Sequence, residues 1–449
     1  MRRQILLTTS ILLLGLTCLN AQNPLIMDQF TADPTARVFN SKVYVYPSHD
    51  IPAPPEKQGR KDWFCMADYH VFSSENMTDW TDHGVIISQN KVNWVDSTAY
   101  SMWAPDCMER NGKYYFYFPA IKNSPDANGR KGFGIGVAVG NKPEGPFIPQ
   151  PEPIKGVFGI DPNVFIDKDG QAYLYYSLRN IFVAKLKENM IEIDSEPLLI
   201  SNLPEKGLKE GSFLFERKGI YYLTFPHVND TIERLEYAMG NSPIGPFKMS
   251  GVLMDESPSH CWTNHQSVIE YQNQWYLFYH DNDLSPEFDK NRSVRADSLF
   301  FNEDGTIRKV KPTLRGVGIS NATSKIQIDR YSDCSKTGIN LNFVDESKKM
   351  NGWKVALTGK NSWLRYNSVK FDKLASKIIK INGLAKKKCT FTVRVDHLNG
   401  PIVAQVNIPA SINWDIISSS LKEIPTGIHD IFITMNNAAE VNIDWISFE

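Results

Sequence analysis

A turn signal followed by an aromatic, alternating strand recurs along the chain and limits the fold more than any other feature. It reads NSKVYVY at 40–46, NGKYYFY at 111–117, DGQAYLY at 169–175, RKGIYYL at 217–223 and YQNQWYLFY at 271–279, roughly fifty to seventy residues apart. The segment before each turn is itself strand-like (ARVF, DCMER, NVFID, SFLFE, SVIEY), which makes five hairpins. A second repeat has the same phase: NKPEGPF at 141–147 and NSPIGPF at 241–247 each follow a strand pattern. No helical pattern separates the copies. Regular all-β repeats of this length predict a five-bladed β-propeller.

The first residues stand outside this pattern. Arg2 and Arg3 precede an apolar run from Ile5 to Leu16 and then TCLNAQ, so residues 1–22 read as a signal peptide cleaved after Ala21, and export to the periplasm or medium is expected. The run is too short to span a bilayer, and no later segment reads as a membrane span. A lipid anchor on Cys18 is the weaker reading, because GLTC lacks the usual small residues before the cysteine. Lys and Arg number 49 against 50 Asp and Glu, a balance that favours neither nucleic acid nor an anionic membrane. Five cysteines follow the leader, so at least one is unpaired; none has zinc spacing, and they read as buried thiols, with Cys334 to Cys389 the one pair to check for a disulfide.

In a propeller the innermost strand of each blade starts near the axis, so the residue before each hairpin points into the central funnel. Those positions hold Asp33 in TADPTARVF, Trp103 to Asp106 in WAPD, Asp161 in GIDPNVF, Glu210 in LKEGSF and His265 in TNHQSV. Taken singly each has an ordinary explanation: Asp before Pro is common turn chemistry, and a lone His is usually a core residue. At one phase of successive blades they make a funnel of three carboxylates and a histidine, whose mutual repulsion a purely structural arrangement would avoid. The glycine-rich GFGIGVAVG at 132–140 is not a nucleotide loop, since the final Gly of G-x-G-x-x-G is absent and no helix follows. It reads as a strand whose glycines admit close packing.

The ordered set ADP, WAPD, IDPNVF, KEGS, NHQSV and NRSVRADSLFFNEDGTI resembles glycoside hydrolase family 43, over residues 23–318. The resemblance implies that Asp33 is a general base, Glu210 a general acid and Asp161 a third carboxylate that orients the acid and adjusts its pKa. It also implies that His265 lies on the axis, where some members hold a hydrated calcium, and that Arg292 contacts substrate, with Arg295 the second candidate. No organic cofactor is implied. Inverting hydrolysis needs one protonated carboxyl and one carboxylate about 6.5 to 9.5 Å apart. Trp103 is the candidate sugar-stacking wall, and Trp63, Trp94 and Phe158 are further loop aromatics that could form subsites. Inserts at 49–64 and 284–294 lengthen two connections and favour a closed, exo-acting pocket.

Residues 324–449 abandon the blade pattern for short alternating runs and read as a β-sandwich of jelly-roll type. NSWLRYNSVKF, PASINWDII, TGIHDIFITM and NIDWISF resemble a family 6 carbohydrate-binding module, which implies Trp414 as its stacking aromatic and Asn442 as a polar contact, with Asp329 where that family carries Glu. The resulting expectation is an exported, monomeric, inverting glycosidase cleaving terminal α-L-arabinofuranosyl or β-D-xylosyl linkages in plant glycans. The alternatives are an endo-acting arabinanase or xylanase, a non-catalytic glycan-binding protein, and a retaining enzyme of the fructan-hydrolysing type.

Overall fold

The computed structural model describes residues 23–55, 62–125, 129, 131–372, 377–423 and 425–449; the signal peptide expected at 1–22 lies outside them. Among the described residues regular structure is almost all strand, broken by two three-residue turns of 3-10 helix. Four four-stranded sheets and one three-stranded sheet follow one another as blades I to V of a propeller. Their hairpins are Phe30–Phe39 with Lys42–Asp50, Asp106–Arg110 with Lys113–Ile121, Ile160–Ile166 with Ala172–Ser177, Phe213–Arg217 with Ile220–Val228, and Ser267–Tyr271 with Gln274–Asp281.

The N-terminal segment closes the ring. The Leu25 N–H donates to Val294 O and the Thr31 N–H to Arg292 O, which pins residues 25–31 along blade V's third strand, Ser293–Leu299. The Asn23 amide brackets Ala296, accepting from its N–H at 2.9 Å and donating to its carbonyl at 3.0 Å.

Apolar side chains interdigitate between blades, and polar side chains tie their inner strands together. Tyr46 of blade I packs on Phe116 of blade II, ring centroids 5.8 Å apart. Nearer the axis, Thr35 Oγ1 donates to Pro105 O, and Arg37 forks onto Asp106 at 2.6 to 3.0 Å. The same Asp106 carboxylate accepts from the Val164 N–H of blade III, whose Asn163 accepts from the Leu214 N–H of blade IV. Gln266 of blade V reaches back to Gly211 O, and Ser267 Oγ donates to Pro34 O while accepting from the Ala36 N–H of blade I. Asp106, at the funnel phase in the sequence, is therefore a fully buried strut between three blades.

The strand Phe133–Gly140 shows why its glycines are there. A Cβ on Gly136 would stand 2.5 Å from Trp94 and 2.7 Å from Phe118, which stack on each other with centroids 5.8 Å apart. Trp94, considered above as a subsite aromatic, is thus spent on packing inside the propeller.

The C-terminal region is a sandwich of two six-stranded sheets. One contains Trp363–Phe371, Gly427–Met435, Cys389–Val395 and Ile402–Ile408; the other contains Ile339–Phe343, Trp353–Thr358, Glu440–Phe448, Ile378–Leu384 and Asp415–Ser420. Their inner faces form one apolar core that includes Val355, Phe391, Ile433 and Ile443. The five cysteines after the leader are free thiols, and the Cys334–Cys389 pair singled out for checking is not bonded. Strands Trp363–Phe371 and Gly427–Met435 lie between the two cysteines' strands, and three strand spacings amount to ~14 Å, beyond disulfide reach.

Asp106→Ala leaves the Arg37 guanidinium and the Val164 N–H without their carboxylate, and it is expected to cost about 3–5 kcal/mol of propeller stability in denaturant titration. The double variant Arg37→Met/Asp106→Leu removes both charges and is expected to lose much less than the sum of the single changes.

Candidate active site

Two Asp-Pro steps build the floor of the funnel. A residue before proline is pushed toward extended backbone, yet Asp33 (φ 47°) and Asp161 (φ 54°) both sit in the left-handed region. At each step the hairpin register slips, between Ala32 and Thr35 in blade I and opposite Tyr175 to Ser177 in blade III. The slip releases the aspartate from the ladder beside a proline that has no N–H to satisfy. Such strained positions persist only where surrounding contacts hold them.

The contacts of Asp33 are explicit. Its N–H donates to His280 Nδ1 at 3.0 Å, and His280 Nε2 donates to Thr263 O at 3.0 Å, an arrangement that requires the neutral Nε2–H tautomer. Burial with Arg292 alongside agrees, pushing the imidazole pKa down to about 3. Ser48 Oγ donates to Asp33 Oδ2 at 2.7 Å, and Arg292 Nη1 donates to Oδ1 at 2.8 Å. Burial alone would raise this carboxyl, but Arg292, the two neighbouring histidines and Ser48 outweigh it and hold the pKa at about 2. Arg292 is itself clamped by Asp50 through Nε and Nη2, both at 2.9 Å, with the Phe64 ring 4.8 Å from its centre. It lines the cavity as expected for a substrate-contacting arginine, yet its guanidinium is bonded to Asp33 and Asp50. Arg295 is buried on Asp283 and is not among the cavity residues.

Across the funnel the balance reverses. Glu210 is half-buried, and desolvation, reinforced by the charge of Asp33, lifts its pKa to about 7 although Glu233 and Arg292 pull it down. Asp161 accepts from the Gly211 N–H at 3.0 Å, and burial together with the charges of Glu210 and Asp33 drives its carboxyl well above the usual range. Burial is therefore the first cause of the raised Glu210 pKa, and the charge that adds to it is that of Asp33 rather than the Asp161 charge expected from the sequence. Gly211 has to be glycine: its φ is 54°, and a Cβ there would stand 2.9 Å from both His265 Nδ1 and Pro226. Glu233, which the sequence reading missed, is a fourth acid in the cluster. It is 1% exposed, accepts from the Asn264 N–H at 2.7 Å, and pulls the Glu210 pKa down.

Asp33, Asp161, Glu210, His265 and Arg292 share one cavity of about 160 Å³, walled by Trp63, Phe64, Met66, Trp103 and Trp262. That is the scale of a single small ring, below the 300–1,000 Å³ usual for larger ligands. Trp103 packs on Phe133 at 4.8 Å, and its buried indole N–H has no partner among the described residues. Both inserts contribute to the cavity, the first through Trp63 and Phe64 and the second through Arg292; residues 56–61 of the first lie outside the described set. Phe158 lies outside this wall, more than half exposed beneath Lys122. Burial pushes the His265 pKa down to about 4, leaving a neutral nitrogen donor, but among the described residues no second and third His or acidic donor closes a metal set around it. The residues present thus fit a calcium ion there only through water.

A larger cleft, about 450 Å³, lies between blade I and the sandwich and has none of this chemistry. Asp329 lines it, paired with Arg330 at 2.8 Å. Asn442 lies on the second sandwich sheet, and Trp414 immediately precedes that sheet's strand Asp415–Ser420. Strand Ile378–Leu384 runs between, pairing Gly383 with Asp415 and Leu384 with Asn442, so the two candidates lie ~10 Å apart.

A five-bladed propeller with clustered acids in an aromatic-walled axial pocket defines the class as a glycosidase. Residues 21–307 match the family model "Glycosyl hydrolases family 43", well over half the chain, and the chain belongs to that family of O-glycosyl hydrolases. Residues 332–449 match "Carbohydrate binding module (family 6)". A xylosidase/arabinosidase 43A of Humicola insolens is 39% identical over 64% of this chain and 99% of its own. A β-xylosidase/α-arabinofuranosidase from a compost metagenome, solved with xylotriose, is 34% identical with a TM-score of 0.58 over 65% of this chain and 97% of its own. An arabinoxylan arabinofuranohydrolase of Bacillus subtilis has both regions, at 25% identity over 94% of this chain and 90% of its own.

Glu233→Leu, which removes the neighbouring carboxyl that pulls the Glu210 pKa down, is expected to move the basic limb of kcat/KM above its wild-type position and cut kcat roughly tenfold or more. Glu233→Gln keeps a neutral donor at the same place and is expected to restore the limb.

Proposed function

We propose that this protein hydrolyses terminal β-D-xylosyl or α-L-arabinofuranosyl linkages of xylan-type glycans with inversion, Glu210 serving as acid and Asp33 as base. One observation carries the reading: a single buried cavity holds one carboxyl at about pKa 2 and another at about 7. Between those values the first is a carboxylate able to take a proton from water, and the second is an acid able to give one to the leaving oxygen. Asp161 and Glu233 hold the Glu210 side and exclude water from it. Neutral His280 and the Arg292–Asp50 clamp hold Asp33 and keep it ionised. The small aromatic-walled volume supports removal of single end residues, and the xylosidase and arabinosidase activities for which the relatives are named support pentose substrates. The exported location and a glycan-binding role for the sandwich belong to the same proposal, resting on the leader sequence and on the family 6 match.

The test is release of p-nitrophenol from the β-D-xylopyranoside and the α-L-arabinofuranoside, with NMR of the first-formed anomer. Inverted product is expected, and Asp33→Ala is expected to lose about 10²–10⁴ in kcat. Retained configuration, or an active Asp33→Ala enzyme, would overturn the mechanism.

The pH profile has a defined sign. Glu210 must be protonated, so kcat/KM is expected to fall as pH rises through about 7, while the acid limb, set by Asp33, lies near pH 2. A plateau extending beyond pH 9 would exclude Glu210 as the acid.

A further inference from the structure

On the flank of blade I, away from the catalytic funnel, His49, Asp68 and His70 each place one ligand atom within 4.8 Å of the other two. His49 ends the strand Lys42–Asp50, and Asp68 and His70 begin the neighbouring strand Asp68–Ser74. Each side chain is between 14 and 22% exposed, which is open enough for an ion to enter and shielded enough for it to matter. The imidazole rings meet edge to face, centroids 5.0 Å apart. His49 Nδ1 stands 2.7 Å from Asp68 Oδ1, a gap bridged by a proton that a cation would displace. His70 Nδ1 is held at 3.0 Å by both oxygens of Asp82, which Gln29 in turn contacts at 3.1 Å. This is the outer-sphere pattern of metal-binding histidines, in which a carboxylate fixes one ring nitrogen and presents the other.

We infer that His49, His70 and Asp68 form a site for a divalent transition ion of the zinc type. The donor set of two imidazoles and one carboxylate suits zinc, nickel or cobalt and is wrong for calcium, which takes oxygen ligands. Tetrahedral ligands at 2.0–2.2 Å from zinc stand about 3.4 Å from each other, so side-chain rotations of roughly an ångström close the set.

The position gives the site a structural role. His49 and Asp68 face each other at the two ends of the connection 50–67, which carries Trp63, Phe64 and Met66 to the catalytic cavity. An ion bridging the two ends would pin the base of that wall without touching the acids, since the His49 side chain points away from its neighbour Asp50, which holds Arg292.

The experiment is titration of tag-free, chelator-treated mature protein with zinc chloride by calorimetry, alongside thermal unfolding with and without zinc. One equivalent bound, a zinc-dependent rise in Tm, and affinity at least tenfold weaker in both His49→Asn and His70→Asn are the expected results. Asp68→Asn, which keeps the side-chain volume, serves as a third variant should either histidine change disturb folding, and the same tenfold loss is expected of it. Absence of binding by the wild-type protein, or binding unchanged in the variants, would overturn the site. Displacement of zinc by equimolar calcium would overturn the assignment of its class.

Discussion

The structure depends on hydrogen bonds that run sideways around the axis, from the inner strand of one blade to the next. A propeller blade has no partner for its innermost strand, and an unpaired strand edge close to the axis would leave buried N–H and C=O groups unsatisfied. Here side chains complete the circuit. Thr35 and Arg37 join blade I to II, Asp106 joins II to III, Asn163 and Asp161 join III to IV, Gln266 joins IV to V, and Ser267 returns to I. Polar residues on these strands are therefore obligatory, and the active site is the rim of the same ring. Asp161 bonds the Gly211 backbone of the next blade while it faces the cavity, so the scaffold and the catalytic groups are held by one network.

That network separates the two acids by environment. Asp33 is a buried carboxyl and Glu210 a half-buried one, and desolvation pushes both upward. Around Asp33 the fold concentrates a guanidinium and a hydroxyl donor, which more than cancel the push. Around Glu210 desolvation and the charge of Asp33 prevail over the downward pull of Glu233 and Arg292. The same residue chemistry thus yields a readily ionised carboxyl on one side and a proton-holding carboxyl on the other, and the difference is set by neighbours contributed from different blades.

Much of this was legible in the sequence because of periodicity. The hairpin repeat gave the blade count, and the phase of the Asp-Pro steps placed Asp33 and Asp161. What stayed hidden lies at the far ends of the second strands and beyond. Ser48 and Asp50 close the first hairpin and His280 closes the last, and an antiparallel second strand ends at the rim where the first begins. The SHD and HD endings were therefore a readable signal that a search confined to first strands passes over. Glu233 has no such marker, since it opens a third strand and reaches Glu210 only because its blade folds that edge inward. Arg292 was found by motif but its bonds were not, because nothing in NRSV shows that Asp50 comes to meet it. The Cys334–Cys389 pairing failed for a similar reason, as strand order inside a sandwich is invisible in one sequence.

The seam between propeller and sandwich bears on how such a protein can be inherited. Arg315, 2% exposed, spends its donors on Ser320 and on Asn367 of the sandwich, and Arg330 lies against Met27 of the propeller's first segment and the Trp353 ring. The last-blade insert that supplies Arg292 also carries Glu287, paired with Lys349 of the sandwich. A guanidinium buried at a joint is stable only while both sides are present. The two halves are consequently joined through buried cations, and a chain that lost the sandwich would bare Arg315 and Arg330 on the flank of the propeller while leaving every residue of the pocket wall in place.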